Sequence, residues 1–167
     1  MRSPLNLCEK LGLTPTSSQH ELLTRLSECH ETYDVAGDPN NEAARACAIF
    51  TLWRVLSIPG STGIVLVPTA ARGSDFMLFM EAVTKRCNPE LAAVSGFPRW
   101  NVLQLGGRTG WELRVMPNKA PLVRERAPMA VVSLILDARS SVPEFVEAVQ
   151  ALEERSTHEK NTLIRLW

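Results

Sequence analysis

Two continuous apolar runs, Gly63-Ile64-Val65-Leu66-Val67 and Ala130-Val131-Val132-Ser133-Leu134-Ile135-Leu136, restrict this chain more than any other feature. Neither alternates polar with apolar residues, so neither suits a strand with one wet face. Apolar runs of this length belong to strands covered by helices above and below, the condition of a parallel sheet. Pro68-Thr69 ends the first run, and the spacing predicts a helix opening at Ser74 with Phe76, Phe79, Met80 and Val83 on one stripe, ended by Asn88-Pro89. The second run delivers Asp137 at its C-terminal end. Ser141 then stands as a cap with Pro143 in the first turn, and Phe145, Ala148, Val149 and Leu152 recur at i, i+3, i+4 and i+7.

The remaining segments fit the same architecture. Ser18-Gln19-His20-Glu21 matches a capping box, and Leu22, Leu23, Leu26 and Cys29 follow at helical spacing, which predicts a helix from Ser18 to His30. Tyr33 to Ala36 reads as a short strand leading into Gly37. Glu42 to Leu56 is so short of polar residues that its helix must be buried on most sides, and Ile58-Pro59-Gly60 stops it. Trp111, Leu113 and Val115 alternate with Glu112 and Arg114. Together with Trp100 to Leu105, across Gly106 to Gly110, they predict an antiparallel hairpin. Pro117 to Pro128 reads as a surface loop, and Thr162 to Trp167 as a last strand. The predicted fold is α/β, with a largely parallel sheet, flanking helices and one antiparallel hairpin.

With 167 residues the chain suits a single domain spanning 1–167, with 1–11 read as a flexible N-terminal segment. Lys plus Arg equal Asp plus Glu at 18 each, so net charge gives no support to a non-specific DNA or membrane-surface binder. The apolar stretches fall short of the roughly 20 residues that span a bilayer, and the N-terminus lacks the apolar run of a signal peptide. Cys8, Cys29, Cys47 and Cys87 are scattered, without ligand spacing, and read as buried free thiols of a cytoplasmic protein. No metal site is expected, and His20, His30 and His158 have no Ser or Cys at triad spacing.

Open α/β sheets bind ligands beyond the carboxyl ends of their strands. Two places meet that rule: the turn from Gly37, and Asp137. A phosphate-binding loop would run from the glycine through four variable residues to Gly-Lys-Ser/Thr. Here Gly37 holds the first position while Glu42, Ala43 and Ala44 hold the last three. At the other strand end, Asp137-Ala138-Arg139 lacks a second carboxylate to polarise water. Glu42 would set a negative charge against any triphosphate; as a first-turn residue it is favoured by the helix dipole. Arg108, Arg114, Arg124 and Arg126 gather on or near the hairpin and its following loop. They read as a solvated face, or else as contacts for nucleic acid or a partner.

The order of these features resembles the N-terminal ATPase domain of the large terminase subunit, the motor that packages DNA in tailed phages. Ser18-Gln19-His20-Glu21-Leu22-Leu23 is similar to the family's adenine-contacting segment. Val35-Ala36-Gly37 through Phe50-Thr51-Leu52-Trp53 is similar to its phosphate loop and following helix. Val65-Leu66-Val67-Pro68-Thr69 resembles the strand that ends in Ala-Pro-Thr, and Leu134 to Ala148 the strand ending in Asp-Glu-Ala with its proline loop and helix. The resemblance covers about residues 12 to 167, without a nuclease domain. It implies a P-loop NTPase-like fold in which Gln19, Gly37, Glu42, Ala43, Ala44, Asp137 and Ala138 occupy vestigial nucleotide-site positions. Only Gln19, Gly37 and Asp137 keep the family's residue type. No catalytic residue carries over, and no cofactor is expected. The function so implied is an inactive pseudo-ATPase of phage or prophage origin that binds a protein partner. It would act as a regulator, inhibitor or decoy of a packaging motor or defence system. A split motor completed in trans and a DNA-binding accessory protein are the alternatives.

Overall fold

The computed structural model describes residues 2–28, 31–37, 42–58, 60–85, 102–105, 111–117, 120–126, 130–155 and 161–167. Its strands are β1 (Thr32–Val35), β2 (Thr62–Val67), β3 (Val102–Leu105), β4 (Trp111–Pro117), β5 (Ala130–Ile135) and β6 (Thr162–Leu166). They form one sheet of order β1-β6-β5-β2-β4-β3, parallel throughout except for β3, which runs antiparallel to β4. The helices are α1 (Pro4–Lys10), α2 (Ser17–Glu28), α3 (Glu42–Ser57), α4 (Ala70–Lys85), α5 (Ala120–Arg126) and α6 (Pro143–Arg155).

Alternation along the strands divides the core in two. Val65, Val67, Leu134, Ile164 and Leu166 face one way, onto Phe50 of α3 and Phe76 and Met80 of α4. Ile64, Leu66, Ile135 and Leu163 face the other way, onto Val123 of α5 and Phe145, Ala148 and Leu152 of α6. The two apolar runs are therefore covered on both faces, as their composition requires. A bulge interrupts the β2–β5 register, where Thr62 pairs with Ala130 but Gly63 with Val132. It lets Val131 and Val132 both turn toward the first core. Every residue from Ala46 to Trp53 is buried, so α3 is enclosed on all sides, between the sheet and α1 and α2.

Four segments differ from the sequence expectations. Residues 1–11, expected to be flexible, contain α1: Ser3 Oγ accepts from the Asn6 N–H at 3.2 Å, and Pro4 opens the helix. Leu7, Cys8 and Leu11 are buried in the first core. α4 begins at Ala70 rather than Ser74, because Thr69 Oγ1 accepts from the Arg72 N–H while the Ser74 hydroxyl turns back to the Ala70 carbonyl. The expected loop from Pro117 to Pro128 contains α5, whose Pro121 falls in the first turn, where a missing N–H costs nothing. At α6, Pro143 is the first helical residue, so Val142 takes the cap position expected for Ser141; the Phe145 and Val146 N–H groups donate to the Val142 carbonyl. The 106–110 connection between β3 and β4 lies outside the described residues, as do Cys29 and Cys87, while Cys8 and Cys47 are free and buried.

Candidate functional site

The site develops where α2, β1 and α3 meet, and its first element is a cap. Thr16 Oγ1 accepts from the Gln19 N–H at 3.4 Å, and Gln19 Oε1 accepts from the Thr16 N–H at 3.0 Å. This reciprocal pair is a capping box two residues upstream of the expected Ser18–Glu21 box. Glu21 instead lies 4.0 Å from Arg25 on an exposed helix face.

Gln19 also reaches out of its own helix. Its Nε2 donates to the Glu42 main-chain carbonyl at 3.2 Å. The Thr16 and Ser18 hydroxyls donate to Glu42 Oε2 at 2.8 and 3.0 Å. Glu42 is the first residue of α3, where a carboxylate is favoured by the positive end of the helix dipole. The start of α2 is thus clasped to the start of α3 through a carboxylate, two hydroxyls and an amide, with both ends of the Gln19 amide engaged.

β1 supplies the opposite wall. The Trp167 N–H donates to the Val35 carbonyl at 3.0 Å, and the Gly37 N–H donates to the Trp167 carbonyl at 3.2 Å, which carries the β1–β6 ladder past the strand ends. Arg165 of β6 holds Asp34 of β1 with two nitrogens, at 2.7 and 2.9 Å, and its third nitrogen reaches Glu153 of α6 at 2.9 Å. Trp167 Nε1 adds a hydrogen bond to Asp34 at 3.0 Å. These donors, the guanidinium first, hold the Asp34 carboxyl below its ordinary value. The Arg139 and Arg165 guanidiniums lie 5.8 and 5.5 Å from the centre of the Trp167 ring.

Between these walls opens a cleft of about 660 Å³, lined by Tyr33 to Gly37 together with Ser18, Gln19, Leu22 and Arg25 of α2 and Glu42 and Ala43 of α3. Gln19, Gly37, Glu42 and Ala43 thus come together in one cavity. Ala44 packs against the first core instead. Asp137 and Ala138 are not part of the cleft lining; they stand beyond β5, across β6 from β1. Asp137 has a left-handed backbone (φ 59°), its carbonyl accepts from the Ser140 N–H, and the Ala138 N–H donates to the Leu166 carbonyl. This is the geometry of a turn that fastens β5 to β6.

Of the arginines singled out, Arg114 sits on β4, Arg124 and Arg126 on α5, and Arg108 lies outside the described residues. Among the described residues no three His, Cys, Asp or Glu side chains stand close enough to hold a metal, and no helix is long and apolar enough to cross a membrane. The Asp34–Arg165–Glu153 network escaped sequence reasoning. Its only sequence signal is a charge within each of two otherwise uncharged strand segments, and it becomes a pair only once β1 and β6 are known to be neighbours.

A helix-flanked, largely parallel sheet with a cleft at the carboxyl end of one strand defines an open α/β fold, whose ligand crevices lie at that end of the sheet. The particular version is the terminase ATPase fold. The chain matches the large terminase ATPase domain of Thermus phage P74-26 with a TM-score of 0.66 at 16% identity, covering 99% of this chain and 70% of that one. A mutant of the same domain matches with a TM-score of 0.60 at 15% identity over the same shares. No protein-family model matches the chain, and no curated protein matches its sequence.

Proposed function

We propose that this protein is a catalytically inactive, terminase-like pseudo-ATPase of phage or prophage origin, acting in the cytoplasm of its bacterial host as a protein-binding module. Its partner is a component of a packaging motor or of a defence system, which it regulates, inhibits or mimics. One observation carries the reading: the Glu42 carboxylate stands at the start of α3, hydrogen-bonded by Thr16 and Ser18, at the position of a phosphate loop's second glycine and next to the place of its lysine cation. A carboxylate there repels a triphosphate, and its neighbours Gln19, Thr16 and Ser18 are spent on holding it. Ala43 brings no cation for the phosphates, and Ala44 no hydroxyl for a magnesium ion.

Titration calorimetry with ATP and Mg²⁺, together with a phosphate-release assay, tests this. The expected result is no binding heat at millimolar nucleotide and no release above the buffer rate. Tight Mg²⁺-dependent binding would overturn the reading in favour of a motor half-site completed in trans.

A further inference from the structure

Resting on the reading of this chain as a binding module, we infer that the outer edge of β1 receives an extended segment of a protein partner as an added strand of the sheet. β1 stands first in the sheet order and, among the described residues, pairs only with β6. Val35 and Gly37 direct their main-chain groups toward β6, bonding to Trp167. Successive residues of a strand point their N–H and C=O groups to opposite sides, so Asp34 and Ala36 present theirs outward. Such an edge is a template for a further strand.

The cleft adjoins this strand from Tyr33 through its carboxyl end. It touches five consecutive residues, Tyr33 to Gly37. Three of these residues belong to β1 and two continue its ladder with Trp167, and five extended residues span about 16 Å. The opposite wall is α2, whose Ser18, Leu22 and Arg25 lie one turn apart along a single face.

Charge defines the occupant further. Asp34 is neutralised by Arg165 at 2.7 Å. Arg25 lies over the Tyr33 ring, 5.6 Å from its centre, at one end of the cleft. Its contact with Glu21 at 4.0 Å is exposed on both sides, 63% and 74%, and leaves most of its charge uncompensated. Glu42, exposed, marks the other end, beyond Gly37. The fitting partner is therefore an extended segment with apolar residues at alternate positions, which meet Leu22, a carboxylate at one end toward Arg25, and a Lys or Arg at the other toward Glu42. Its main chain bonds to the N–H and C=O groups of Asp34 and Ala36.

The test is to pan a displayed library of random octapeptides against the full chain and to synthesise the selected peptides. Selected sequences should carry the alternating, oppositely ended pattern, and a bound peptide should slow amide hydrogen exchange at Asp34 and Ala36. N-methylation of every second peptide amide, in one of the two phases only, should weaken binding at least tenfold. Arg25→Glu should weaken the same peptides about tenfold and select a basic residue at that end. Selection without this pattern, protection confined to other segments, or equal tolerance of N-methylation in both phases overturns the inference. So does concentration-dependent self-association that buries β1, which would give the edge to a second copy. Each of these outcomes leaves the binding-module reading standing if ATP and Mg²⁺ still fail to bind; tight nucleotide binding in the cleft removes both.

Discussion

Asp34 and Arg165 stand directly opposite each other in the parallel β1–β6 ladder, and the guanidinium meets the carboxylate with two nitrogens, at 2.7 and 2.9 Å. The pair pins the edge strand to the sheet from its side chains as well as its main chain. Because Arg165 holds the Asp34 carboxyl below its ordinary value near 3.8, the folded state favours the ionised form. The stability so gained is complete above that value and is lost as pH falls through the lower, folded one. Half of the Asp34 side chain is exposed (51%), so the contribution is no more than about 1 kcal/mol. Asp34→Asn should therefore unfold at lower denaturant than the parent at pH 7, and the gap should close as the pH is taken well below 3.8. A gap that stays constant across that range would contradict the assignment.

The position of the capping box makes a second expectation. Gln19→Ala removes the return bond to Thr16 and the bridge to Glu42, and should cost about 1–2 kcal/mol. Glu21→Ala, at the position the sequence alone suggests, should change stability by less than about 0.5 kcal/mol. Thermal or denaturant unfolding of the two variants decides between them.

α1 belongs to the core. Leu7 is fully buried, so Leu7→Ala should destabilise by about 2–5 kcal/mol, and deletion of residues 1–11 should leave a chain that unfolds far more readily or does not fold. An unchanged denaturation midpoint in the truncated protein would show that the segment contributes nothing.

At Asp137 the backbone is left-handed (φ 59°), a region that glycine enters freely and alanine does not. Asp137→Gly should keep stability within about 0.5 kcal/mol of the parent, whereas Asp137→Ala should lose about 1 kcal/mol. Equal losses in both would mean that the carboxylate itself, rather than the turn, is what the fold needs there.

Burial pushes the Cys47 thiol up to about 12. In the native protein it should resist a thiol-specific chromogenic reagent at pH 8 and react only at the rate of unfolding.

The elements legible in the sequence are those whose burial leaves a local trace. The two apolar strand runs and the apolar α3 could be read because a residue enclosed on all sides has to be apolar whichever neighbour encloses it. α5 escaped because Pro121 looks like a breaker unless the helix is known to start beside it. α1 escaped although Ser3-Pro4 carries a start signal, since seven residues show too little periodicity to expose a buried face. At the site, the helix dipole alone accounts for a carboxylate in the first turn of α3 at Glu42. The hydroxyls that hold it could not be foreseen, because they come from 24 and 26 positions upstream. Asp34 and Arg165 are 131 positions apart, and strand register has no local signature.

The clasp between Thr16, Ser18 and Glu42 gives the start of α3 an anion of its own. An external anion can occupy that helix end only in the fraction of molecules whose carboxylate has swung away. If the hydroxyl contacts together hold the closed arrangement by about 1.4 kcal/mol, one molecule in roughly ten is open, and the apparent dissociation constant of a competing phosphate rises tenfold before any repulsion is counted. The helix end therefore behaves as an occupied receptor whose ligand is covalently attached, and its selectivity against free phosphates is a property of a conformational equilibrium set by two hydroxyl groups.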